Sequence, residues 1–151
     1  MSEQRDRARV DLDVRAAFAE LLGAERRLRM RKPEREGGLS YGQGRALFTL
    51  GDAQEATAGQ IARAADLTPA SVTALIDQLE GKGLVARRRD EHDRRSVVVT
   101  LTPAGRAELE QMRSHWQDRW GEALGDLGDD DLKAAATVMR RVAHVLDALG
   151  T

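Results

Sequence analysis

From residue 14 to residue 28 the apolar positions Val14, Ala17, Phe18, Leu21, Leu22 and Leu28 recur at three- and four-residue intervals, the rhythm of one helix face. A polar stretch with Pro33, Gly37 and Gly38 then predicts a loop. Ser40 followed by Gln43 fits a capping box, in which the serine oxygen accepts from a backbone N–H and the glutamine reaches back to the cap. A second helix therefore starts there and runs to about Leu50. Thr57 and Gln60 repeat the box and open a short third helix that turns Ile61, Ala64 and Ala65 inward and ends near Asp66-Leu67. Thr68-Pro69 combines a cap hydroxyl with a proline at the first helical position, so a fourth helix begins at Pro69. Its inward face is Val72, Leu75, Ile76 and Leu79, and Gly81-Lys82-Gly83 stops it.

The β-branched and apolar runs 84–88 and 96–101 flank a charged turn over 89–95 and predict a hairpin. Thr102-Pro103 then starts a long helix with Leu109, Met112, Trp116, Trp120 and Ala123 along one stripe. A last helix after Gly128-Asp129 aligns Leu132, Ala135, Val138, Met139, Val142, Val145, Leu146 and Leu149. That is more apolar surface than a terminal helix needs for its own domain, and it calls for a second chain. The fold class is mainly α with a small β-hairpin. Helix, short helix, tight turn, helix and hairpin in that order make a winged helix-turn-helix lobe over 39–102, within a single domain spanning 1–151.

In such a lobe the second helix of the pair enters the major groove. Advancing 100° per residue along the helix from Pro69 leaves Ala70, Thr73, Ala74 and Asp77 opposite the core face, with Ser71 and Gln78 at its flanks. Alanine and the threonine methyl suit a thymine methyl, Gln78 suits adenine, and Asp77 can accept from cytosine N4. The hairpin supplies cations for phosphates: Lys82, Arg87, Arg88, Arg89, Arg94 and Arg95. A tip arginine can also enter a narrow minor groove with a carboxylate fixing its pose, and Asp93 stands two positions from Arg95.

Composition changes this picture only at its edges. The chain has 151 residues, a formal net charge of -1 and 32% charged side chains, so overall charge does not advertise a polyanion partner. The distribution does, because the six basic residues from Lys82 to Arg95 face three acids there, while Asp126 and Asp129 to Asp131 hold the acid elsewhere. The absence of cysteine excludes thiolate nucleophiles, CxxC pairs, cysteine–zinc sites and disulfides. His92, His115 and His144 lack ligand spacing, so no metal is expected; no catalytic or cofactor fingerprint is present, and the protein is read as a non-enzyme without cofactors. No apolar run nears the ~18 residues of a membrane span and no signal peptide opens the chain, so a cytoplasmic protein without a membrane partner is expected.

These residues resemble the MarR (multiple antibiotic resistance regulator) family of winged-helix transcription factors. The likeness is carried by Leu39-Ser40 with Gln43, Leu47 and Leu50, by Ile61-Ala62 with Leu67-Thr68, by Ser71-Val72-Thr73 with Leu75-Ile76-Asp77 and Leu79-Glu80, and by Gly83-Leu84-Val85 with Arg87. Its most specific part runs from Asp93-Arg94-Arg95 through Val97-Val98-Val99-Thr100-Leu101-Thr102 to Gly105, similar to the D-x-R-x-x-x-V-x-L-T-x-x-G wing signature.

The resemblance implies a homodimer built on helices 10–32 and 103–150, a pseudo-palindromic operator on double-stranded DNA, repression, and Arg95 in the minor groove oriented by Asp93. It also implies a small aromatic or lipophilic effector, whose walls would include Phe18, Leu22, Tyr41, Phe48, Met112, His115 and Trp116. One departure stands out: Ala74 occupies a recognition-face position where many members carry arginine, which shifts affinity toward the wing. A winged-helix protein-interaction module and a ligand-insensitive architectural DNA binder remain as alternatives, separable by salt dependence and sequence preference.

Overall fold

The two capping boxes form as their spacing dictates in the computed structural model, which describes residues 2–33, 38–90 and 97–149. α1 (Ser2–Met30) leads to α2 (Tyr41–Ala53), a short strand β1 (Glu55–Thr57) and α3 (Ala58–Ala65). Ser40 Oγ accepts from the Gln43 N–H at 3.3 Å while Gln43 Oε1 accepts from the Ser40 N–H at 3.0 Å. Thr57 and Gln60 repeat that exchange at 3.3 and 2.8 Å, so each helix entry satisfies its own first donors.

α3 ends on Asp66 in the left-handed region (φ 57°), and the Leu67 N–H closes on the Ala62 carbonyl at 2.8 Å. Thr68 then caps α4 (Pro69–Gly81), whose Val72, Leu75, Ile76 and Leu79 are all buried, as their spacing predicts. At the far end of α4, Gly83 has φ +71°. Its N–H reaches the Glu80 carbonyl at 2.9 Å and the Leu84 N–H reaches that of Leu79 at 3.0 Å. That pair of bonds is a Schellman turn, which requires a residue free to adopt positive φ. The turn sends the chain directly into β2 (Val85–Arg89).

β3 (Val97–Leu101) pairs antiparallel with β2, Arg87 opposite Val99, and on its other edge with β1, Ala56 opposite Val99. The hairpin expected from sequence is thus two-thirds of a three-stranded sheet in the order β1-β3-β2. Three residues are too few to show an alternating pattern, so β1 is specified by its partner strand and not by its own sequence.

α5 (Pro103–Leu124) and α6 (Asp129–Leu149) complete the chain. Two compact units are defined, Met1–Glu110 and Gln111–Thr151. The core of the first is drawn from every element after α1: Leu47 and Leu50, Ala56, Ile61, Val72, Ile76 and Leu79, Val85, Val99 and Leu109. Leu47 has no exposed surface, and its truncation to alanine should remove about 2–5 kcal/mol of stability. In the second unit α6 buries no residue at all; Asp129, Asp130 and Asp131 in its first turn suit the positive end of the helix dipole.

α1 is longer than its apolar stripe indicates. Its first turns, Ser2 to Asp13, contain neither glycine nor proline, and Arg7 pairs with Asp11 at 3.4 Å across one turn.

Candidate nucleic-acid interface

All six expected base readers, Ala70, Ser71, Thr73, Ala74, Asp77 and Gln78, are exposed on α4. The helix start is held by Thr68, whose Oγ1 accepts from the Ser71 N–H at 3.2 Å and donates to Ser71 Oγ at 2.9 Å. Thr73 Oγ1 donates back to the Pro69 carbonyl at 3.2 Å. Gln78 is fixed from behind. The Gln43 side chain, 5% exposed and the single buried polar residue among those described, donates through Nε2 to Gln78 Oε1 at 2.8 Å. This leaves the Gln78 amide NH2 as the donor group on the outer face. Sequence spacing shows Gln43 only as a cap partner; the link to Gln78, 35 residues away, depends on packing α2 against α4.

The cations expected to meet phosphates divide into distinct environments. Arg87 on β2 is turned toward α4, where Nη2 donates to Asp77 Oδ1 at 2.5 Å and Nη1 donates to Glu80 Oε2. The Arg87 N–H also points at Glu80 Oε1, 3.4 Å away. Asp77 first, and then Glu80, hold this guanidinium above its usual range. Arg88 lies across the sheet against Glu55 of β1, and Lys82 Nζ donates to the Gly38 carbonyl at 2.8 Å. Arg89 is exposed and makes no ion pair among the described residues. Asp93, Arg94 and Arg95 fall outside the described residues.

The geometry is therefore a helix of small exposed side chains beside a sheet edge carrying arginines. The MarR family model matches residues 39–97, the span from Leu39, just before the cap of α2, to the first residue of β3. This stretch is a MarR-family winged-helix domain.

Among similar proteins, the HTH-type transcriptional regulator YcgE of Bacillus subtilis (strain 168) is 28% identical over 65% of this chain. The matched stretch spans 64% of YcgE, a little under two thirds of its length. The solved structure of Bordetella bronchiseptica BpsR, whose DNA binding is regulated by 6-hydroxynicotinic acid, is 30% identical, with a TM-score of 0.58, and the match covers 70% of this chain and 75% of that one. A cysteine-to-serine mutant of MarR from E. coli, solved with operator DNA, is 26% identical with a TM-score of 0.59, covering 69% of this chain and 75% of that one. These relatives belong to a family of transcriptional regulators rather than of enzymes. Among the described residues, no helix is long and apolar enough to cross a membrane.

The residues expected to wall an effector site are placed as follows. In the first unit Phe18, Tyr41 and Phe48 are half-buried and Leu22 is 42% exposed; in the second, Met112 is half-buried while His115 and Trp116 are exposed. Tyr41 is no plain apolar wall. Two guanidinium groups approach its ring, Arg29 at 5.7 Å and Arg45 at 6.0 Å from the centroid, and its hydroxyl donates to Glu25 Oε1 at 3.2 Å. Arg29 also pairs with Glu25 and reaches Asp66 Oδ2 at 3.0 Å, and Arg45 donates to the Ala64 carbonyl. Sequence spacing did not reveal this cluster, because its members come from α1, α2 and the end of α3.

Proposed function

We propose that the protein is a sequence-specific DNA-binding transcriptional regulator that acts as a homodimer on a pseudo-palindromic operator. α4 would enter the major groove, and the β2–β3 hairpin would meet the flanking backbone and, through Arg95, the minor groove with Asp93 orienting it. The observation that carries this reading is the outer face of α4, where Ala70, Ser71, Thr73 and Ala74 are all exposed and short enough for the helix to sit deep against base edges.

Dimerisation is supported by large apolar side chains left exposed on three helices: Val10, Leu21 and Leu28 on α1, Trp116 and Trp120 on α5, and Val138, Met139, Val145 and Leu146 on α6. Together with helices 10–32 and 103–150 as the pairing surfaces, this gives each protomer one lobe for one half-site. The two recognition helices would then stand about one duplex turn apart, ~34 Å. Repression, tuned by a small aromatic or lipophilic effector, is the regulatory mode proposed; regulation of BpsR by 6-hydroxynicotinic acid supports an effector of that class. An effector that favours a dimer with a different spacing of its recognition helices lowers operator affinity by its differential binding.

Fluorescence anisotropy with the upstream intergenic DNA and a scrambled duplex, across a salt series, tests the proposal. Tight binding to the native fragment alone, weakening steeply with salt, is the expected result. Equal binding to both duplexes would instead establish an architectural role, and no binding at low salt would leave a protein-interaction module.

A further inference from the structure

The recognition helix α4 contains no lysine or arginine, yet it carries two carboxylates, Asp77 and Glu80, on its exposed side. A helix entering the groove of a polyanion with two uncompensated negative charges would be repelled. The compensation comes from β2. The Arg87 guanidinium bridges both carboxylates, and its side chain, 31% exposed, is more sheltered than those of Asp77 at 60% and Glu80 at 42%. Glu80 is gripped twice, by the guanidinium and by the Arg87 N–H. For Arg87 to meet a phosphate it would have to leave two ion pairs and expose both acids to the same DNA.

Resting on the DNA-binding reading above, we propose that Arg87 is a positioning residue: it masks the Asp77 and Glu80 charges and fixes the Asp77 carboxylate on the recognition face, and it does not itself neutralise a phosphate. The Schellman turn at Gly83 makes this possible, since it folds β2 back along the last turns of α4 and brings residues seven and ten positions apart into one bridge. Asp77 Oδ2 makes no hydrogen bond among the described residues and stays available as an acceptor.

The test uses full-length protein and a mixed-sequence duplex in anisotropy titrations over a salt series, with circular dichroism melts as the control for folding. Arg87→Met should weaken binding roughly tenfold at low salt, because two carboxylates are unmasked. Adding Asp77→Asn and Glu80→Gln to that variant should restore affinity to within about threefold of wild type, with an unchanged salt slope. A triple variant that stays as weak as Arg87→Met, with a slope shallower by about one, would show a lost phosphate contact and overturn the proposal. If Arg87→Met alone does not fold, the triple variant against wild type decides by the same two readings. Wild type that binds no duplex at low salt would overturn the regulator reading itself, whereas wild type that binds with an unrescued triple variant overturns this inference only.

Discussion

Gly105, in the first turn of α5, lies against the Leu84 carbonyl so closely that a Cβ at this position would stand 1.9 Å from that oxygen and 2.9 Å from its carbon. Both atoms are backbone, and the same carbonyl accepts the Thr102 N–H at 3.1 Å, so it cannot swing aside without breaking the start of α5. Thr102 Oγ1 in turn caps the Gly105 N–H at 3.0 Å and donates to the Gly83 carbonyl at 2.6 Å. The end of α4, the start of β2 and the start of α5 thus meet at one point.

Gly105→Ala is therefore expected to destabilise the protein by more than about 2 kcal/mol, since relief demands a shift of backbone and not of a flexible side chain. Chemical denaturation of the two proteins measures it. An alanine variant with wild-type stability would mean that α5 can slide away from Leu84 freely.

Glu25 titrates below its ordinary value of 4.5, chiefly through its hydrogen bond from Arg29, with Tyr41 adding to the effect and partial desolvation opposing it. A carboxylate with a depressed folded-state pKa contributes stability that is complete above its unfolded value and is lost as pH falls through the folded one. The melting temperature of wild type should exceed that of Glu25→Gln by a constant margin at neutral pH, and the margin should close as pH falls below 4.5. A margin that persists in acid would assign the difference to packing.

Val145 on α6 is 59% exposed, a large apolar side chain left at the surface of its helix. Val145→Glu should leave the monomer fold intact and shift sedimentation from dimer toward monomer. Val142, on the same stripe, is half-buried and so is a less clean probe. A variant that still sediments as a stable dimer would place the pairing surface elsewhere.

Arg95, whose role rests on the wing signature, should matter in a way that Arg87 does not. Arg95→Ala is expected to weaken operator binding roughly tenfold and to reduce the salt slope by about one, with an unchanged melting temperature. Unchanged affinity at physiological salt would remove it from the minor groove.

The elements most legible in the sequence were those governed by neighbours a few residues away. Ser40 with Gln43, Thr57 with Gln60, and Thr68 with Pro69 set three helix starts by local hydrogen bonding, and the spacing of Val72, Leu75, Ile76 and Leu79 gave the buried side of α4. β1 was not legible, because Glu55 to Thr57 becomes a strand only when β3 is beside it. The six outward positions of α4 followed from periodicity alone. The partners of Arg87 and Gln78 and the pairing of Tyr41 with Arg29 did not, since each of these contacts joins different elements and a charge read along the chain gives no sign that it is already paired.

The lack of any cation on α4 would, under the proposed function, separate holding from reading. The grip on the duplex would reside in the hairpin, and the choice of sequence in Ala70, Ser71, Thr73, Ala74, Asp77 and Gln78. Exchanging Ala70, Ser71, Thr73 and Ala74 for other short side chains would then redirect the protein to a new site without altering how tightly it clings to DNA in general. The scaffold is thereby suited to retargeting, for a genome or for an engineer, at constant background affinity.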